Sequence, residues 1–258
     1  MDNIHKLLKL SRDTVKIALC KLKELDKNNV NSYRFSSEIP REVKSKADLL
    51  IEDVIISKLK NTGVSILSEE SGMLVGENKS DLLFIVDPID GTVNFLRGIL
   101  NCSISIALYN GNTPIFGVLA SFPDEVFAWG GKMFGSYINE TKITTSNINV
   151  LENGVLCTGF PSRFKFNKNT MLFQMSIMSK FCKVRMIGSA SQSLLCIARG
   201  AAECYIEKEI MLWDVAAGIA IVEGAGGKVN TAPGSSDFSL SIAVDNGRFD
   251  PEITDKFI

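Results

Sequence analysis

The sequence predicts an α/β fold, and three observations predict it. Two helical periodicities open the chain, two short apolar runs after them each stop at carboxylates, and the second half alternates strand-like and helix-like segments. In the first helix, Ile4, Leu7, Leu8, Val15, Ala18, Leu22 and Leu25 recur every three or four positions. A second helix is expected from about Asp48, carrying Leu49, Ile51, Val54, Ile55 and Leu59. Residues 64–67 and 82–86 read as strands, the first running into Glu69-Glu70 and the second into Asp87.

The middle of the chain reads as antiparallel. Strands are expected at residues 102–108, 115–120 and 125–129, with Asn110-Gly111 as a hairpin signal and Gly130, Gly131 and Gly135 marking the end. Residues 139–149 are polar and suggest a short strand with loops. The alternation then runs strand 154–159, helix 169–181, strand 183–187, helix 189–199, strand 203–206, helix 213–224 and strand 239–244. Gly224, Gly226 and Gly227 fit a helix C-cap and turn rather than a dinucleotide loop, since no strand leads into them. No linker or composition shift divides the chain, so one domain is expected over 1–258, with an N-terminal half at 1–150 and a C-terminal half at 151–258.

Composition removes several function classes. Among 258 residues, 45% are apolar, enough for a sizeable core. The 28 basic and 29 acidic side chains nearly cancel, which argues against a nucleic-acid polymer as partner. Six cysteines without a C-x-x-C pair read as buried free thiols of a reducing, cytoplasmic protein. His5 is the only histidine, which nearly excludes a histidine base or phosphoryl carrier. Residues 98–123 carry no charge, but the turn from Tyr109 to Pro114 interrupts them; two buried strands explain the stretch better than a membrane span.

The densest chemical signal is Asp87-Pro88-Ile89-Asp90-Gly91-Thr92, directly after an apolar strand. Two carboxylates that close repel, and a hard divalent cation relieves the repulsion. Gly91 permits close backbone approach, and N–H groups of Gly91 and Thr92 at a helix start can hold a phosphate. Taken alone, the hexapeptide is also compatible with a turn, Asp90 and Asp214 with helix N-caps, and Glu69-Glu70 with a solvated strand end. Together, carboxylates at strand ends and helix starts point to a polynuclear metal site, because ligands collect at the carboxyl ends of strands in open α/β sheets.

Glu69-Glu70-Ser71-Gly72, Asp87-Pro88-Ile89-Asp90-Gly91-Thr92-Val93-Asn94-Phe95 and Trp213-Asp214-Val215-Ala216-Ala217-Gly218 resemble, in order and spacing, segments of the inositol monophosphatase family. Gly188-Ser189-Ala190, Tyr205-x-Glu207 and Ala225-Gly226-Gly227 are similar to further family segments. The resemblance implies a layered α-β-α-β-α sandwich and Mg²⁺-dependent hydrolysis of a small phosphate monoester, with two or three ions. Glu69, Asp87 and the carbonyl of Ile89 would hold one ion; Asp87, Asp90 and Asp214 a second; Glu69, supported by Asp48, a third. Glu70 and Thr92 fall at the family's water-activating positions, Thr92 the better matched. On the substrate side stand Asp90, Asp214, Gly91, Thr92, the alcohol-pocket segment Gly188, Ser189 and Ala190, and Glu207, whose alternative is a surface charge in Glu207-Lys208-Glu209. A homodimer and Li⁺ inhibition are also implied.

The sequence departs from that pattern before Asp48, where Lys44-Ser45-Lys46-Ala47 keeps a hydroxyl only at Ser45, and after Phe95, where Leu96-Arg97-Gly98 replaces a common histidine. These departures bear on substrate identity and Li⁺ sensitivity. An inositol monophosphate is the favoured substrate. Histidinol phosphate, fructose 1,6-bisphosphate and 3′-phosphoadenosine 5′-phosphate are alternatives, the doubly charged ones favoured if Arg97 and Arg163 face the pocket. A rival is also written in the chain: Cys157 and Arg163 satisfy the C-x5-R spacing of a cysteine phosphatase, although Pro161 removes a donor from the loop. The bland reading is a buried strand cysteine followed by a turn. A non-catalytic binding protein on the same fold is the remaining alternative.

Overall fold

The computed structural model describes residues 2–27, 33–35, 41 and 43–250. The elements in chain order are α1 (Asp2–Lys27), β1 (Tyr33–Phe35), β2 (Val43–Ser45), α2 (Lys46–Leu59), β3 (Ser65–Ser68), β4 (Gly72–Leu74), β5 (Leu82–Asp90), α3 (Thr92–Arg97), β6 (Cys102–Asn110) and β7 (Thr113–Phe122). They continue with β8 (Phe127–Gly131), β9 (Gly135–Ile138), β10 (Thr141–Ile143), β11 (Val155–Thr158), α4 (Lys168–Met178), β12 (Lys183–Arg185), α5 (Ala190–Ala198), β13 (Cys204–Met211), α6 (Leu212–Gly224), β14 (Lys228–Pro233) and β15 (Ser239–Asp245).

Two sheets organise the described residues. The larger has the order β10-β9-β8-β7-β6-β5-β3-β4 and the smaller β12-β11-β13-β15-β14, with β1 and β2 forming a separate hairpin. Side-chain alternation sorts these elements into five layers, the α-β-α-β-α sandwich expected. Phe84 and Val86 of β5, with Ile104, Ile106 and Leu108 of β6, pack under the apolar faces of α1 and α2. Ile85 and Ala107, on the opposite face, meet α5 and α6. On its far side that helical layer meets Tyr205, Ile242 and Val244 of the small sheet, whose outer face carries Leu156, Ile206 and Ala243 against Ile177 of α4. Residues 215–222 of α6 are all buried, as a helix between two sheets must be.

Several expectations were corrected here. Gly130 and Gly131 are not end punctuation; they lie within β8, and Gly135 opens β9. A Cβ on Gly130 would lie 2.2 Å from the Ser136 hydroxyl and one on Gly131 2.2 Å from the Ile115 carbonyl oxygen, so these two positions are small because packing demands it. Strand β13 runs on to Met211, past its polar segment, and β14 is an edge strand too polar to be read as one. Leu49 is exposed, and of the cysteines Cys20 and Cys182 are exposed while Cys102, Cys157 and Cys204 are buried; all six are free. No helix of the described residues is long and apolar enough to cross a membrane, and residues 98–123 form α3's end and the β6–β7 hairpin.

Candidate active site

A strand irregularity builds the site. Residues three apart on a regular strand point to opposite faces. Between Asp87 and Asp90 the β5–β6 register slips: Asp87 lies opposite Ser105 and Asp90 opposite Ser103, so three steps on β5 match two on β6. The extra residue falls at Pro88-Ile89, where proline has no N–H for the ladder. The bulge turns both carboxylates to one side. Asp214 joins them from the first turn of α6: single oxygens of Asp87, Asp90 and Asp214 all lie within 4.8 Å of one another. The alternative N-cap roles of Asp90 and Asp214 fall to other residues: Gly91, at φ +91°, caps α3, and Met211 caps α6, its N–H donating to Asp214 Oδ2 at 3.2 Å.

The parallel pairing of β3 with β5 delivers Glu69 beside them, through Glu69 N–H donating to the Val86 carbonyl at 3.3 Å. Four carboxylates then share a desolvated volume. Burial, together with the charges of its neighbours, pushes Glu69, Asp87 and Asp214 well above the usual range. Burial raises Asp90 as well, against the opposing hydrogen bonds of Ser189 and Ser191. Asp87 Oδ1 accepts from the Ile89 N–H at 3.0 Å, but Asp87 Oδ2 is buried with no hydrogen-bond partner. An orphaned carboxylate oxygen among like charges is the donor set that a hard cation fits.

Hydroxyls and further carboxylates fix the surroundings. Thr92 Oγ1 lies 3.0 Å from Asp48 Oδ1 and 3.1 Å from the Ile89 carbonyl. Asp48 itself is held by Ser45, which caps α2 and donates to Asp48 Oδ2; burial raises the Asp48 carboxyl to about 6. Glu70 pairs with Lys44 at 3.1 Å. Asp90 Oδ2 accepts from the Ser189 hydroxyl at 2.6 Å and from the Ser191 N–H at 2.7 Å, with the Ser191 hydroxyl also donating.

A cavity of about 940 Å³ opens over these groups. Its lining includes Glu69, Asp90, Gly91, Thr92 and Asp214 together with Gly188, Ser189, Ala190 and Glu207. Glu207 is no surface charge: it is 7% exposed, accepts from Tyr205 Oη at 2.8 Å, and is raised by burial to about 7. Trp213, next to Asp214, lines the cavity too. Arg163 lines it also, whereas Arg97 is exposed at the end of α3 and does not.

With this geometry in hand, comparison with known proteins is decisive. The model of the inositol monophosphatase family matches residues 3–257. The chain belongs to that family. An inositol-1-monophosphatase of Mesorhizobium japonicum is 32% identical over 228 residues, covering 86% of this chain and 82% of that protein. The chloroplastic phosphatase IMPL1 of Arabidopsis thaliana is 30% identical over 238 residues, covering 87% of this chain; the chain spans 62% of that relative's length. The crystal structure of the extragenic suppressor protein suhB from Bartonella henselae superposes with a TM-score of 0.81 at 27% identity, covering 96% of this chain and 95% of that one.

Family membership agrees with what the rival motif lacks. Cys157 is buried on β11 and lies outside the cavity lining; its hydrogen bond with Cys196 and its burial hold the thiol far above the range of a reactive thiolate. Sequence reasoning missed Ser191, which binds Asp90, and Glu52, which is buried on α2 and accepts from the Ser71 N–H at 3.0 Å and the Ser71 hydroxyl at 2.6 Å, fixing the turn that carries Glu69 and Glu70. An acidic residue inside an apolar helical period was the available signal for Glu52. Ser191 gave none, since a serine in a helix's first turn is ordinary.

Proposed function

We propose that this chain is a Mg²⁺-dependent phosphomonoesterase of small phosphorylated alcohols, with an inositol monophosphate as the favoured substrate. One observation carries the reading: Asp87, Asp90 and Asp214 converge within 4.8 Å, with Asp87 Oδ2 unpartnered beside the Thr92–Asp48 pair. Glu69, Asp87 and the Ile89 carbonyl would hold one ion, Asp87, Asp90 and Asp214 a second, and Glu69 with Asp48 would support a third. Bound Mg²⁺ supplies charge neutralisation at the transferred phosphoryl group and acidifies water.

The protein's own groups do the positioning. Thr92, its hydroxyl proton directed at Asp48, presents a lone pair that accepts a hydrogen bond from the attacking water. Glu70, oriented by Lys44, is the neighbouring proton acceptor. Backbone N–H groups of Gly91 and Thr92 hold non-bridging phosphate oxygens. Gly188, Ser189 and Ala190 border the alcohol, and Glu207, fixed by Tyr205, accepts from one of its hydroxyls. Phosphate release from inositol 1-phosphate tests the reading. Release is expected with Mg²⁺, absent with EDTA, and absent in Asp87→Asn. Activity that survives EDTA and is lost in Cys157→Ser would replace it with the thiolate mechanism.

A further inference from the structure

We infer that the cavity holds a second anion subsite, at Arg163, which recognises a phosphate or carboxylate carried by the alcohol moiety of the substrate, apart from the phosphate that is cleaved. The inference rests on the phosphatase reading above and extends it to the substrate's other end.

Arg163 lines the same cavity as Asp90 and Asp214. Its Nη1 lies 3.0 Å from the thioether sulfur of Met211, a weak acceptor. Among the described residues no carboxylate pairs with it, although acidic groups line the same cavity. Two of those are engaged elsewhere. Glu207 accepts from Tyr205 Oη, and Glu209 accepts from both the N–H and the hydroxyl of Ser235. The guanidinium therefore keeps its remaining donors facing a cavity, without a protein counter-charge.

The backbone around Arg163 is pinned on both sides. Arg41 Nη2 donates to the carbonyls of Ser162 and Phe164, the residues flanking Arg163, at 2.8 Å each. The Arg41 guanidinium also lies 4.6 Å from the centre of the Phe166 ring. Phe160, Phe164 and Phe166 close a triangle of rings with centroids 4.8, 5.2 and 5.0 Å apart. A second cation, exposed at its own position, is thus spent on the shape of this loop. That is the preorganisation a binding arginine needs, since a guanidinium fork recognises phosphate or carboxylate through two parallel hydrogen bonds. Lys44, the other nearby cation of the lining, pairs with Glu70.

Fructose 1,6-bisphosphate and fructose 1-phosphate differ only in a second phosphate and form a matched pair of probes. In the wild-type holoenzyme kcat/KM is expected to favour the bisphosphate. In Arg163→Met the loss should be about ten- to a hundredfold greater for the bisphosphate than for the monophosphate, carried mainly by KM. Arg163→Lys should recover part of the difference, keeping the charge without the fork. Equal losses on both esters would overturn the inference and place Arg163 at the cleaved phosphate; no change on either would overturn it too. Should the wild type release phosphate from neither ester nor from inositol 1-phosphate, the phosphatase reading fails by itself. The subsite is then read by calorimetric binding of the same pair: tighter binding of the bisphosphate that Arg163→Met abolishes supports it, and equal binding refutes it. Thermal unfolding of both variants separates a lost contact from a lost fold.

Discussion

Asp87 places one oxygen on its own strand and leaves the other buried and unpartnered. Neutralising it should divide function from stability. Asp87→Asn is expected to lower kcat by on the order of a thousandfold if Asp87 holds metal as proposed. The same change takes one charge out of a repelling cluster, so the metal-free protein should unfold a few degrees higher in EDTA. A melting point that falls instead would mean the carboxylate is structural. Glu207 offers a second test. Its carboxyl stands at about 7 in the fold against an ordinary 4.5, so the native state binds more protons than the unfolded chain between those values. Its contribution to stability is therefore greatest at low pH and is lost as pH rises through about 7. In Glu207→Gln, the fall in urea-unfolding free energy between about pH 5 and pH 8 should be shallower than in the wild type.

At the scale of elements, burial and close packing explain which strands were legible. The apolar runs of β5, β6 and β7 announced themselves because both faces are buried, and the carboxylates at the end of β5 stood out against that run. Strands β8 and β9 were obscured by glycines that the sequence presents as turn signals. In β8 glycine serves because neighbouring strands leave no room, a Cβ on Gly131 lying 2.2 Å from the Ile115 carbonyl oxygen; on β7 it is α6 that leaves none, since a Cβ on Gly117 would lie 2.1 Å from the Ala217 carbonyl oxygen. Gly117→Ala should cost about 1–3 kcal/mol of unfolding free energy, measured in denaturant, because helix and sheet must separate. Gly111→Ala, with nothing near its Cβ and φ +54°, should cost only the left-handed strain of about 1 kcal/mol. A loss at Gly117 no larger than at Gly111 would refute the packing account. The same logic covers the site. The bulge that aims Asp90 inward depends on the register of β5 against β6, and Glu207 follows Tyr205 on one face of β13 just before a second slip, against β15. A local pattern cannot show such a register; only the Asp-Pro dipeptide hinted at the first.

Across the whole molecule the carboxylates of the site set the response of stability to metal and pH. Burial and mutual repulsion raise Asp48, Glu69, Asp87, Asp90 and Asp214 together, Asp48 to about 6. In the unfolded chain these groups ionise near 4. The metal-free fold thus holds extra protons above that point, and its stability should fall as pH rises, over a window that begins near pH 4 and for Asp48 ends near pH 6. On the proposed reading Mg²⁺ would bind the ionised carboxylates, compete with those protons, and stabilise the fold by mass action in proportion to the logarithm of its concentration over Kd. The gap in melting temperature between about 5 mM MgCl2 and EDTA should therefore widen from about pH 5 to about pH 8, and it should collapse in Asp87→Asn. These carboxylates come from β3, β5, α2 and α6, so the stabilisation should reach both sheets and shift a single cooperative transition. A gap that is constant with pH, or that persists in Asp87→Asn, would mean that the cation acts elsewhere on the molecule.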